Sequence, residues 1–105
     1  MLNDPVGKKT PTGAKSQFLH AETYLIQSAK DYETAQKEYY AVYLGWPYPE
    51  WQAPALFQVA RCDEALNQPD KARTTYEELI QKFPESEYRT QAEERLRVVD
   101  NGSTE

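Results

Sequence analysis

The chain is poor in the residues that carry chemistry. Of its 105 residues, one is cysteine, one histidine and one methionine. A lone Cys62 excludes a disulfide within the chain and reads as a small buried helix residue. His20 is the only candidate to pair with that thiol. The two sit on adjacent helices, with Cys62 expected inward and His20 outward. Metal binding asks for three or four converging ligands, and no such cluster is present, so no catalytic, metal or cofactor residue is assigned. No apolar run approaches the roughly 20 residues of a membrane span. Residues 1–15 lack the apolar segment of a signal peptide. Gly7-Lys8-Lys9-Thr10 looks like a scrap of phosphate loop, but the upstream glycine and the preceding strand are missing.

Basic residues are also scarce. Lys and Arg total 12 against 17 Asp and Glu, for a net charge of -5. Lys8, Lys9 and Lys15 against Asp4 make residues 1–15 +2, which leaves -7 on the remainder. Such a body excludes nucleic acid, which demands Lys/Arg clusters facing phosphate. It leaves a basic partner or plain solubility as the meaning of the acidic surface. The neighbouring carboxylates Asp63-Glu64, Glu77-Glu78 and Glu93-Glu94 point about 100° apart on a helix and read as solvated faces.

What the chain does have is a repeat. Ala35, Tyr39, Val42, Trp46, Pro47, Trp51, Ala55 and Val59 recur 37 residues later as Ala72, Tyr76, Leu79, Phe83, Pro84, Tyr88, Ala92 and Leu96. A period of this size marks stacked helical units, none of which buries its apolar face alone. Apolar spacing predicts helices at about 16–29, 32–44, 50–66, 69–83 and 87–99. Ser16, Asp31 and Ser86 serve as caps, and Gly45 and Asn67 as left-handed stops. Pro69 suits a first turn, and Pro47 and Pro84 are breakers. The expectation is an all-α, right-handed antiparallel helix-hairpin solenoid of five helices in two and a half repeats. Its units run about 16–47 and 50–84, with a capping helix at 86–99 and tails at 1–15 and 100–105. Ala35, Ala55, Ala72 and Ala92 keep the helices close.

These residues resemble the tetratricopeptide-repeat family. The second unit carries the resemblance in Leu56, Val59-Ala60, Ala72, Tyr76 and Pro84, and the first in Leu19, Tyr32, Ala35, Tyr39 and Pro47. Asp63 and Leu79 depart from the family pattern, and Glu22-Thr23 replaces its Leu-Gly pair, so the first helix is expected to be irregular or shifted. Phe83-Pro84-Glu85-Ser86-Glu87-Tyr88, followed by Ala92 and Leu96, is similar to the bacterial subclass of outer-membrane assembly lipoproteins and the periplasmic Tol-associated partner. That likeness implies the cell envelope.

The family resemblance implies a non-catalytic module binding a protein or peptide in a concave groove lined by the first helix of each hairpin. Carried onto this chain, the groove takes Gln17, His20, Tyr24 and Gln27 from the first helix and Phe57, Arg61 and Glu64 from the third. Against it stands the reading of ordinary helix surface. Tyr40 and Tyr48 are aromatic where the next unit has Glu77 and Glu85. They are either exposed anchors or rings lying over the Pro-rich turn. Leu19, Tyr24 and Ile26 exceed what the first helix needs for its core, which suits an upstream repeat or a homodimer. An accessory domain of an enzyme is the remaining alternative.

Overall fold

The computed structural model describes residues 11–26 and 30–102. Five helices follow one another: α1 Pro11–Thr23, α2 Tyr32–Gly45, α3 Pro49–Ala65, α4 Pro69–Lys82 and α5 Glu87–Gly102, with no strand among the described residues. Local chemistry sets most boundaries. Asp31 caps α2, its side chain accepting from the Thr34 amide at 3.1 Å, and hydrogen bonding from the Thr34 side chain and amide holds its carboxyl below the ordinary value. Pro49 and Pro69 open α3 and α4, where a missing N–H costs nothing. Asn67 takes φ 65°, a left-handed stop after α3. Ser86 Oγ accepts from the Tyr88 amide at 3.1 Å at the start of α5.

Several boundaries differ from expectation: α5 runs on to Gly102, through residues read as part of a tail, with Asp100 paired to Arg73 at 2.8 Å. Gly45 stays helical, with no left-handed φ. The chain turns instead at Trp46, φ -126° and ψ 116°, because Pro47 forces its predecessor into extended backbone. The first helix starts at Pro11, not Ser16, and ends at Thr23. Ala14 belongs to the core at 0 % exposure, and a Cβ on Gly13 would meet the Trp46 indole at 2.6 Å. The close approach of that ring to bare backbone explains why residues read as a tail are helical. Beyond Thr23 the bonds tighten to Tyr24 N→Ala21 O and Leu25 N→Glu22 O, and Asp31 N reaches back to Tyr24 O at 3.0 Å.

Helices α1, α3 and α5 pack in succession, while α2 and α4 meet only through side chains, Tyr43 of α2 donating to Glu78 of α4 at 2.6 Å. The first three form one layer, called inner, and the other two the outer one, as an array of stacked hairpins requires. Contacts repeat with the sequence. Gln36 of α2 donates to Asp63 of α3, and 37 residues on Arg73 of α4 donates to Asp100 of α5 at 2.8 Å. Ring packing repeats too: Phe18 meets Tyr39 at 5.0 Å and Trp51 at 5.4 Å, as Phe57 meets Tyr76 at 5.8 Å and Tyr88 at 5.6 Å.

That second correspondence reveals a shift. Tyr39 and Trp51 map onto Tyr76 and Tyr88 at 37, yet Phe18 maps onto Phe57 at 39. Ala14 and Ala21 likewise map onto Ala53 and Ala60 at 39, and all six residues are buried. The first helix thus repeats two residues out of step with the rest of the chain, and everything placed on it by the 37-residue period must be moved.

One consequence concerns the two equivalent tyrosines. Tyr76 donates its hydroxyl to Glu64. The residue matching Glu64 at 39 is Leu25, in the turn after α1, and the Tyr39 hydroxyl, in a wholly buried residue, has no partner among the described residues. Burial raises the pKa of both phenols well above the ordinary value. Tyr39→Phe should therefore leave stability unchanged or raise it by up to about 1 kcal/mol. Tyr76→Phe should lose about 1.5–3 kcal/mol, since it abandons a carboxylate acceptor. Urea denaturation of the two variants measures the contrast.

Candidate functional site

The face of α3 left uncovered by its neighbours carries Gln58, Arg61 and Ala65, spaced 3 and 4 apart on one ridge. Arg61 and Ala65 are exposed and Gln58 is half-buried. At the corrected spacing of 39, the same ridge on α1 and the turn after it is Leu19, Glu22 and Ile26. At 37, the ridge on α5 includes Arg95 and Val98. Leu19 is 47 %, Ile26 79 % and Val98 51 % exposed. So large apolar side chains left in water on α1 and α5 flank a central cation on α3. Arg61 makes no ion pair within 4.0 Å among the described residues. Beside it lies a hollow of about 250 Å³, lined among the described residues by Leu25, Lys30, Tyr32, Gln58, Arg61, Cys62 and Ala65. Among the described residues its lining holds two cations and no carboxylate, within a chain of net charge -5.

Of the predicted groove residues, Arg61 stands where the sequence put it. Phe57 does not: it is 6 % exposed and packed on Tyr76 and Tyr88. It is a core residue, because its counterpart is Phe18 and not His20. Glu64 is tied into the array. It accepts from Tyr76 and from Arg95, whose Nε lies at 3.2 Å. Burial opposes its ionisation, but the bonds from Arg95 and Tyr76 outweigh that and hold its carboxyl below the ordinary value.

Gln17 accepts from the Trp46 indole at 2.8 Å and donates to Glu38 at 3.3 Å, and so locks α1 to α2. His20 is exposed, 3.8 Å from the Glu38 carboxylate and with its ring 5.4 Å from Tyr24. Tyr24 is half-buried against the core. Gln27 lies outside the described residues. Ser16, His20 and Thr23 match Ala55, Val59 and Cys62 at 39. The side of α1 that corresponds to α3's contact with α2 is therefore polar, and the surplus apolar residues Leu19 and Ile26 belong to the inner face instead.

Tyr40 is 41 % exposed and stacks on Tyr43 at 5.9 Å. It stands beside an outer groove of about 480 Å³ between α2 and α4, whose lining includes Gln36, Val59, Asp63 and Glu78. Tyr48 is half-buried and packs against the core, so it is no free anchor. The paired carboxylates Asp63-Glu64 are not the solvated face they were read as. Asp63 is 3 % exposed, and burial raises its pKa against the opposing bond from Gln36. Burial also pushes the Cys62 thiol up to about 12, which keeps it protonated and inert at neutral pH.

Sequence reasoning missed Leu19, Ile26 and Val98 as inner-face residues. The signal was present: Ala14-x-x-x-Phe18-x-x-Ala21 repeats as Ala53-x-x-x-Phe57-x-x-Ala60.

A family model described as tetratricopeptide repeat matches residues 54–86, which span most of α3, all of α4 and the turn after it. No curated protein and no solved structure matches the chain. The match supports the tetratricopeptide-repeat family, and the five helices form the helical-hairpin repeat of that kind. Repeats of this family generally mediate protein–protein interaction. No helix among the described residues is long and apolar enough to cross a membrane.

Proposed function

We propose that the chain is a non-catalytic protein-interaction module that takes a peptide or partner segment along the inner face of α1, α3 and α5. One observation carries the reading: Leu19, Ile26 and Val98, three of the large apolar side chains the fold leaves exposed, lie on the same ridge as Arg61, which has no ion pair among the described residues. Exposed apolar residues scattered singly mean little, whereas aligned on one face they mark a docking surface. A central Arg among apolar groups fits the composition of interface anchors. The motif at 83–88 supports a place among bacterial envelope repeats, and a signal peptide in the parent gene would establish that compartment.

Site-specific photocrosslinking in the native host tests the face. A crosslinker at Val98 or Ala65 should yield protein adducts, while one at Gln81 or Glu77 on the outer layer should not. Leu19→Asp should remove the inner-face adducts without changing helicity, because Leu19 is already half in water. Adducts formed only from the outer positions would refute the assignment.

A further inference from the structure

Resting on that inner-face reading, we infer that the module selects an extended segment bearing an internal Asp or Glu side chain between apolar residues, its carboxylate seated at Arg61 and Lys30. The argument is charge complementarity in a confined place. The hollow beside Arg61 is lined by two cations and, among the described residues, by no acid. Of the two carboxylates nearest to Arg61 in sequence, Asp63 is buried and bonded to Gln36, and Glu64 is engaged by Tyr76 and Arg95. Lys30 and Arg61 are both exposed and both lack an ion pair among the described residues. Leu25 and Tyr32 supply the apolar walls that lower the local dielectric and strengthen the pair. Arg presents a planar fork that takes a carboxylate by two bonds.

Spacing follows from the layers. Packed helix axes lie about 8–10 Å apart, and an extended strand advances about 3.3 Å per residue. A segment running across the inner layer therefore places three residues between one helix and the next. The recognised pattern is an apolar residue, an acid three positions on, and a second apolar residue three further. The apolar ends meet Leu19 and Ile26 on one side and Val98 on the other.

The test uses the full chain and displayed random peptides of about twelve residues, selected in low salt, with binding of enriched sequences measured as capped synthetic peptides. Enrichment of Asp or Glu with apolar residues three away on both sides is expected. Replacing that acid by its amide should weaken binding about tenfold, and raising salt should erase most of the difference. R61Q should abolish the preference for the acid while leaving weaker binding to the same apolar residues. The charge-reversed pair K30E with R61E should favour Lys or Arg at that position. Circular dichroism of each variant guards against misfolding, which is not expected at exposed sites. Apolar binders without an acid, an acid preference that survives R61Q, or apolar positions about seven residues from the acid would overturn this inference and leave the inner face standing. An absence of binders, or binders indifferent to both L19D and R61Q, would overturn the inference and the inner-face reading together.

Discussion

Ala72→Trp should unfold the array, whereas Ala65→Trp should be tolerated. Ala72 sits in the second half-turn of α4 and is wholly buried, as is its counterpart Ala35 in α2. Both stand where the second helix of a hairpin meets the first, and a methyl group is what allows the axes to approach. Even the added methylenes of Ala72→Leu should cost about 1–3 kcal/mol through forced rotamers and backbone shift. An indole cannot be absorbed by rotamer change in an interior packed like an organic crystal. Its cost should reach about 5 kcal/mol, the lower end of a typical domain's whole stability. Ala65 is exposed on the inner face and offers the same substitution nothing to collide with. Urea titration followed by far-ultraviolet circular dichroism reads both. A cooperative Ala72→Trp variant with an unchanged midpoint would contradict the close-packed hairpin on which the repeat depends.

Most of the architecture was legible because helix punctuation and periodicity act locally. Pro47 and Pro84 break the chain for steric reasons that need no tertiary context, and Asn67 adopts the left-handed turn its side chain tolerates. Aromatic pairs such as Tyr39 with Tyr76 recur because each unit must fill the same gap. The start of α1 was not legible. Its opening residues are Pro, Thr and Gly, and only the Trp46 ring lying over Gly13 shows that this stretch is packed.

The candidate site was half legible, for a geometric reason. The exposure of Arg61 was legible because α3 obeys the 37-residue period. On α1 the same period misplaces residues by two, and two positions on an α-helix are a rotation of about 200°. The error therefore carried the proposed groove from one side of α1 to the other, exchanging Leu19 and Ile26 for Gln17, His20 and Tyr24. It also cast Phe57 as a surface residue by pairing it with His20. Contacts between distant residues, above all Phe18 with Tyr39, restore the alignment. The buried state of Asp63 was hidden for another reason: its partner Gln36 is 27 positions away, and nothing in the local pattern announces the bond.

Glu64→Gln should cost about 2 kcal/mol at neutral pH, and the loss should fade on acidification. Glu64 joins three helices: it is on α3, it accepts from Tyr76 of α4, and it pairs with Arg95 of α5. Its side chain is 18 % exposed and that of Arg95 31 %, so solvent screens the pair less than a surface bridge. The amide still accepts from Tyr76 but loses the charge-assisted part of both bonds. Because the folded carboxyl is held below its ordinary 4.5, its contribution is fully present above that value and is lost as pH falls through the folded one. Wild type and Glu64→Gln should thus converge at the acid end. Asp63, the next residue toward the N-terminus, carries the opposite sign. Burial raises it above 3.8, so its ionisation opposes folding as pH rises through the folded value and continues to do so at neutrality. Asp63→Asn keeps an acceptor for Gln36 and should be at least as stable as wild type at pH 7, with the difference vanishing in acid. Thermal melts of the two variants across pH 3–7 separate these slopes. Parallel curves for wild type and Glu64→Gln would show that Glu64 holds the three helices by shape alone and not by charge.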